Sequence, residues 1–152
     1  MKLIERVYRL LSIRDRSEKE IRDYIKRRNF NFKMKGRDLI TEIEVEEVLA
    51  KLKEKGLIND ERFAEAWVQS RSRKYGPIKI KQELAQKGIR NFELQIQNEL
   101  EVASQLLERK IQSWKDLESL ELKKKALDFL LRRGFEFSVA EEVVEKFIKK
   151  DS

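Results

Sequence analysis

Apolar residues recur at intervals of three and four along most of the chain, and this spacing is typical of amphipathic α-helices. Residues 3–11 give the first example, with leucines and a valine on one side of the predicted helix. A Ser or Thr followed three residues later by Glu predicts helix starts at Ser17, Thr41 and Ser138. With one proline and five glycines among 152 residues, the pattern predicts an all-α protein with short connections.

One stretch departs from the helical period. Between Phe30 and Leu39 apolar and basic side chains alternate, and Gly36 provides a turn. Because a two-residue period is typical of strands, we expect a loop or a small β-hairpin here, after a helix that ends near Asn29.

A helix is predicted just before the only proline. Asp60, preceded by Asn59, is expected to accept a hydrogen bond from a first-turn amide as the N-cap. Phe63 and Trp67 lie one turn apart on the apolar face. Core packing is the favoured interpretation of both aromatics, and stacking on nucleobases is the alternative. The helix is expected to end near Tyr75.

A second helix follows the corner at Gly76. It begins at Pro77, whose missing N–H group would have no partner in a first helical turn. Ile80 and Leu84 lie on its apolar face, and Gly88 is predicted to end it in the left-handed conformation. The two helices and their corner are the centre of the predicted fold.

One type of helix ending occurs three times, in residues 25–30, 84–89 and 130–135. Each has a core aliphatic residue, a basic end, a Gly or Asn cap and an apolar residue behind the cap. Such recurrence indicates a structural repeat. We predict three three-helix units in tandem, over residues 1–56, 57–100 and 101–152, with an insertion at about 30–40. The third helix of the middle unit is expected from Asn91 to Leu100.

Charge adds a candidate binding surface to this picture. The net charge is +7 and the pI is near 9.5, which favours a polyanion or an acidic protein surface as partner. Between residues 71 and 90 the only acid is Glu83. The cations of this span are Arg71, Arg73, Lys74, Lys79, Lys81, Lys87 and Arg90. An ordinary solvated surface is the alternative, although solvated helices usually interleave acids with their cations.

The neighbours of these cations separate them into two groups. Lys79 and Lys87 lie one turn on either side of Glu83, an arrangement that stabilises many solvated helices. The cations nearest the corner have no acid in reach along their own helix. They are Arg71, Arg73 and Lys74. We predict that these three bind phosphate or carboxylate groups.

Another basic pair, Arg132 and Arg133, ends a predicted helix near residue 133. Cations at that end stabilise the helix dipole, which explains the pair without a ligand. A binding role for it depends on alignment with the other cations.

Several classes of protein are excluded by residues that the chain lacks. There is no histidine and no cysteine, which removes zinc fingers, histidine acid–base catalysis and cysteine nucleophiles. The GxxxxGK and GxGxxG phosphate motifs are also missing. We therefore expect no enzyme activity, cofactor, metal or small-molecule substrate. No apolar run approaches the ~18 residues that cross a bilayer, so we expect a cytoplasmic protein without membrane contact. Separately, we expect a monomer.

The central stretch resembles a known protein family. The run Leu57-Ile58-x-Asp60, Arg62-Phe63-Ala64-x-x-Trp67-Val68-x-x-Arg71, Gly76-Pro77-x-x-Ile80-x-x-Glu83-Leu84-x-x-Lys87-Gly88-Ile89 is similar to the signature of the RecX family, the regulators of the RecA recombinase. Weaker similarity extends from about residue 4 to residue 147, and the stretch after Phe30 is an insertion relative to it. The resemblance implies an elongated, curved array of three-helix units.

It also implies a function. A RecX-like protein would bind the RecA–single-stranded DNA filament and inhibit its ATPase, strand exchange and growth in recombinational DNA repair; double-stranded DNA is left open as a partner. The expected filament or DNA contacts are Arg71, Arg73, Lys74, Lys79, Lys81, Lys87, Arg132 and Arg133. One alternative is a stand-alone helix-turn-helix module that reads DNA with the helix from Ile78 to Lys87. The other is an adaptor that binds an acidic protein and no DNA.

Overall fold

A computed structural model of the chain describes residues 2–150, apart from the side chain of residue 150. Met1, Asp151 and Ser152, at the outer ends of the first and third predicted units, lie outside the described residues. The helices are α1 (Leu3–Ile13), α2 (Glu18–Met34), α3 (Glu42–Glu54), α4 (Asp60–Arg71), α5 (Pro77–Gln86), α6 (Glu99–Ile111), α7 (Ser119–Arg132) and α8 (Phe137–Lys150). A 3-10 turn, Gln112–Trp114, follows α6. Since no strand occurs among the described residues, the predicted all-α class is confirmed.

The helices group into two compact units. The first comprises the chain up to Ala66 together with Ala85–Phe92, and the second comprises Trp67–Leu84 together with the chain from Glu93 onward. The boundaries of the three units predicted from the sequence repeat stay a prediction.

The core of the first unit lies where α1, α2 and α3 meet. Its buried residues are Val7, Ile21, Ile25, Leu49, Leu52 and Ile58. Val7 and Ile25 were predicted to face inward, from the apolar spacing of residues 3–11 and from the repeated helix ending. Each buried aliphatic side chain contributes about 1.5–3 kcal/mol. The predicted capping box at the start of α2 is confirmed: the Glu20 N–H donates to Ser17 Oγ (3.3 Å) and the Ser17 N–H donates to Glu20 Oε1 (3.1 Å).

Helix α2 is longer than predicted. It continues through Phe30 to Met34, so the expected end near Asn29 is wrong, and so is the loop or hairpin expected over the first half of the stretch from Phe30 to Leu39. From Lys35 to Leu39 the chain forms a turn and an irregular loop. The Asn29 side chain instead donates to the Ile40 carbonyl and accepts from the Ile40 N–H, both at 2.9 Å. The helix ends at Met34. Gly36 follows in the left-handed conformation (φ 67°), and the N–H group of Arg37 donates to the Phe32 carbonyl at 2.8 Å. This is a Schellman ending one and a half turns later than expected.

The start of α4 also differs from the prediction. Asn59 is the capping residue, because its Oδ1 accepts from the Arg62 N–H at 3.0 Å. Asp60 is already helical, and its carboxylate accepts from the Glu18 N–H at 2.9 Å, in the first turn of α2. Asp60 therefore satisfies an amide of another helix instead of its own. Helix α4 ends at Arg71, and a turn connects it to Gly76.

Two later predictions on helix starts are wrong. The stretch from Asn91 to Asn98 is not helical, and α6 begins only after Asn98, which adopts a left-handed conformation (φ 64°). Helix α8 begins at Phe137, so Ser138 lies inside it and does not cap it. The Ala140 N–H donates to the Glu136 carbonyl, which marks the true start.

The core of the second unit lies among α6, α7 and α8. Its buried residues are Ala103, Leu107, Ala126, Leu130, Phe135, Ala140, Val143 and Val144. The end of α7 also contacts the start of α5. The Gly76 N–H donates to the Arg133 carbonyl (2.7 Å) and the Ile78 N–H donates to the Gly134 carbonyl (2.9 Å). Amides and carbonyls at helix ends otherwise lack partners, so these bonds satisfy both ends at once.

Candidate functional site

Three of the predicted cations surround one aromatic ring, that of Tyr75 in the turn between α4 and α5. The Arg71 guanidinium lies 4.2 Å from the ring centroid, the Lys79 ammonium 4.3 Å and the Arg133 guanidinium 5.2 Å. Arg133 comes from the end of α7. The negative face of an aromatic ring attracts cations at such distances. We call Tyr75 and these three cations the Tyr75 cluster.

Arg71 is the most firmly held member of the Tyr75 cluster. Its Nε donates to Glu83 Oε1 (3.1 Å) and its Nη2 donates to Glu83 Oε2 (2.7 Å), a bidentate geometry. Trp67 Nε1 donates to the same carboxylate at 3.3 Å. The hydrogen bond to Glu83 raises the pKa of Arg71, although partial burial acts in the opposite direction. No acid is in reach on α4 itself, as predicted, but α5 supplies one, so the Arg71 charge is already compensated.

Glu83 was expected to lie in a row with Lys79 and Lys87, and the contacts are different. Lys79 lies over Tyr75. Lys87 belongs to the first unit, where its Nζ is 3.4 Å from Glu20 Oε2 and 5.9 Å from the Phe63 ring centroid. The pairing of Glu83 with Arg71 is therefore a tertiary contact rather than a local helix contact.

Of the predicted filament or DNA contacts, those that the fold leaves available are in the turn and on the outer face of α5. Arg73 and Lys74 are exposed in the turn, and Lys81 is exposed on α5. Among the described residues, no carboxylate lies within 4 Å of these three side chains. Arg132 is exposed too, but its Nε is 3.0 Å from Asp128 in the same helix. Arg133 Nη1 donates to the Lys74 carbonyl at 3.3 Å.

The apolar residues of the central stretch have packing roles. Phe63 is 5% exposed, and Ile80 and Leu84 are buried, as core packing predicts. Trp67 is half-buried and donates to Glu83. Outside the central stretch, Trp114 also has a packing role: it lies edge-on against Phe129, with ring centroids 6.1 Å apart.

The sequence prediction missed Tyr75. A usable signal existed, because an aromatic residue with cations four positions before and four after it, Arg71 and Lys79, lies at a predicted helix corner. Two further findings concern the described residues as a whole. No helix in residues 2–150 has the length and apolar character to cross a membrane, and no group of acidic side chains there is arranged to hold a metal ion.

Three family models match the chain in consecutive order. They describe the first, second and third three-helix domains of RecX and match residues 4–31, 59–91 and 97–144. Together they match well over half of the 152 residues. The chain belongs to the RecX family. The RecX resemblance and the tandem of three-helix domains predicted from the sequence are thereby confirmed.

Similar proteins support this assignment. "Regulatory protein RecX" of Cronobacter sakazakii is 39% identical over 94 residues, which are 58% of this chain and 54% of that protein. The protein of the same name from Escherichia coli is 40% identical over the same shares. This RecX-family chain thus spans about half the length of the curated relatives it matches.

Two solved structures have the same fold. The crystal structure of RecX from Lactobacillus salivarius has a TM-score of 0.78 at 22% identity, covering 95% of this chain and 93% of that one. A second structure, of regulatory protein RecX, has a TM-score of 0.73 at 24% identity, covering 94% of this chain and 71% of that one.

Proposed function

We propose that this RecX-family chain binds the RecA–single-stranded DNA filament and lowers its ATP turnover, strand exchange and growth. The observation that carries this proposal is the ordered match of three consecutive RecX domain models along residues 4–144. The chain contains no His or Cys and no phosphate-binding loop, which suits a regulator that acts by binding.

The surface that we assign to filament binding comprises Arg73, Lys74 and Lys81. These exposed cations have no carboxylate partner within 4 Å among the described residues. Binding a phosphate or carboxylate would therefore not break an existing ion pair. The Tyr75 cluster next to them fixes the turn, since Arg133 donates to the carbonyl of Lys74. Interactions of exposed cations are screened by salt, so the binding should weaken as ionic strength rises.

The decisive experiment is a titration of the protein into RecA, single-stranded DNA and ATP, with ATP turnover as the readout. We expect turnover to fall as the protein approaches equimolar amounts with RecA. Unchanged turnover at that point would overturn the proposed function.

Charge reversal tests the assigned surface. The variant R73E/K74E should lose most of the inhibition because it reverses two of the three assigned cations. The fold should stay intact, since the side chains of Arg73 and Lys74 are exposed and have no carboxylate partner among the described residues. The variant K124E/K125E on α7 changes the charge equally at exposed positions and should retain inhibition. Arg71 is left out of the reversal because it is paired with Glu83, so its replacement would disturb the fold as well as the surface. If both double variants inhibit equally well, the surface is assigned wrongly.

A stand-alone helix-turn-helix module is less well supported. The N-terminal residues of a recognition helix normally contact base edges. Here the amides at the start of α5 are bonded to the carbonyls of Arg133 and Gly134, and Gly76 is buried. Tight, sequence-dependent binding to duplex DNA without RecA would favour the module instead.

A further inference from the structure

The second half of α2 carries an exposed aromatic residue. Phe30 is 65% exposed and Met34, one turn further on, is 74% exposed. Neither side chain belongs to the core of the first unit. Because α2 continues to Met34, Phe30 lies on a regular helix whose geometry fixes its neighbours.

Those neighbours are basic. Lys26 and Arg27 lie four and three residues before Phe30, and Lys33 lies three residues after it, so all three are next to it on the helix surface. All three are exposed, and no carboxylate of the described residues lies within 4 Å of them. No acid occurs in the sequence between Asp23 and Asp38, whereas six cations do.

Phe32, a second aromatic residue in this segment, differs from Phe30 in that cations cover its ring. The ring of Phe32 is covered by two guanidinium groups, with Arg28 at 4.0 Å and Arg37 at 5.6 Å from its centroid. These contacts, with the Schellman ending at Gly36, hold the extended helix end in place. Phe30 has no such cover, and its ring face is open to a ligand.

We propose that this surface, Lys26, Arg27, Phe30 and Lys33, binds single-stranded nucleic acid. Phe30 would stack on an unpaired base while the three cations contact the phosphates on either side. An open aromatic ring among cations is the combination that binds single strands without sequence preference. A protein partner would require an acidic surface, and it would not specifically need an aromatic ring at this position. The site is separate from the cations assigned to RecA regulation and does not depend on that function.

The test measures the full-length protein without RecA, by fluorescence anisotropy of a labelled oligothymidine. Phe30→Ala should weaken binding about tenfold, since one stacked base contributes on this order, whereas Phe30→Trp should preserve it. The matched control is Phe137→Ala, which removes an aromatic ring that is 57% exposed elsewhere and should change nothing. Thermal melts of each variant verify the fold.

The cations are tested through the salt dependence of binding. Each phosphate contact on a single strand contributes about 0.7 to the slope of log affinity against log salt. The variant K26A/R27A/K33A should therefore reduce the slope by about 2. The variant K123A/K124A/K125A, with the same loss of charge, should reduce it much less. Oligouridine in place of oligothymidine distinguishes RNA from DNA as the preferred strand.

The outcomes are separable from those of the RecA titration. Equal affinity of Phe30→Ala and the parent for oligothymidine would overturn this inference, whatever the effect on RecA. So would an equal dependence on Phe30 for duplex DNA, since stacking requires an unpaired base. If Phe30→Ala and Met34→Ala both lost RecA binding but kept oligonucleotide binding, the surface would be a protein contact and the inference would be wrong. If oligothymidine binding depended on Phe30 but the parent protein had no effect on RecA, only the proposed function would be overturned.

Discussion

Gly134 and Lys79 are packed so closely that a Cβ atom on the glycine would lie 2.5 Å from the Cβ atom of the lysine and 2.6 Å from its backbone nitrogen. The contact presses the end of α7 against the first turn of α5. The first unit contains the same arrangement, since a Cβ on Gly88 would lie 2.7 Å from the Cβ of Lys19 at the start of α2. Both glycines were predicted as helix caps, and the close packing is a second reason for having no side chain there.

We predict that Gly134→Ala lowers the free energy of unfolding by about 3 kcal/mol. The positive φ of 93° costs a residue with a Cβ about 1 kcal/mol, and steric overlap in a packed site adds about 2 kcal/mol. Gly36→Ala is the matched control, because its φ is 67° but nothing lies within 4 Å of the added Cβ. It should cost only about 1 kcal/mol. Chemical denaturation measures both, and equal losses would show that the contact with Lys79 is unimportant.

Arg71 and Glu83 provide a second prediction on stability. Both side chains are less than a third exposed, at 30% and 19%, so their bidentate pair is less screened than a surface ion pair. In a double-mutant cycle with Arg71→Ala and Glu83→Ala, we expect a coupling energy of about 1 kcal/mol. The control pair is Arg132 with Asp128, which is 81% and 59% exposed and should show coupling near zero. A coupling near zero for Arg71 as well would mean that this arginine is available to a ligand.

Local sequence patterns predicted most of the helices. They failed where a contact between residues far apart in the sequence determines where a helix ends. Asn29 looks like a helix cap, but its side chain bonds to both backbone groups of Ile40, eleven residues away. The chain therefore stays helical past it, and the alternating pattern after Phe30 lies on a helix. Phe92 and Ile96 have helical spacing too, yet that segment is irregular. Asn91 does not begin a helix here, and a short apolar spacing is a weak helix signal.

In the candidate site, too, local features could be predicted from the sequence and tertiary contacts could not. The sequence locates the cations, because an excess of one charge is visible in any window. It does not reveal that Glu83, twelve residues from Arg71, compensates one of them. Nor does it show that Arg133 shares the ring of Tyr75. These contacts depend on how α5 and α7 meet, which no local pattern encodes.

Glu20 predicts a dependence of stability on acid pH. Burial, the largest single effect, opposes its ionisation, but hydrogen bonds from Arg14 and the Ser17 N–H, with the charge of Lys87, outweigh it and lower the pKa below the ordinary 4.5. A carboxylate with a lowered pKa stabilises the fold at pH values above its ordinary pKa. This stabilisation is lost as the pH falls through the pKa of the folded state. Glu20→Gln should therefore be less stable than the parent at neutral pH by about 1 kcal/mol.

The difference between Glu20→Gln and the parent should disappear in acid, as denaturation at a series of pH values would show. Glu47→Gln controls for net charge. It removes the same charge from an exposed position that forms no ion pair with any described residue. A deficit of Glu20→Gln that persists in strong acid would trace its effect to the capping box instead of the charge.

Glu99 predicts a change of the opposite sign. Burial, and the charge of Glu136 to a lesser extent, raise its pKa, and its buried Oε1 has no hydrogen-bond partner among the described residues. Because the pKa is raised in the folded state, ionisation of Glu99 lowers the free energy of unfolding as the pH rises above the ordinary pKa of 4.5. Glu99→Gln should therefore stabilise the protein at neutral pH. Its place in the first turn of α6 favours a negative charge, which limits the gain to about 0.5 kcal/mol.

Thermal melts at neutral and acid pH test this prediction for Glu99. The gain should vanish in acid, where the parent carboxyl group is protonated too. Glu136→Gln, at an exposed position, removes only the smaller of the two effects and should give a smaller gain. If Glu99→Gln were instead destabilising at neutral pH, the attraction of the carboxylate to the N-terminus of α6 would outweigh its burial and the repulsion from Glu136.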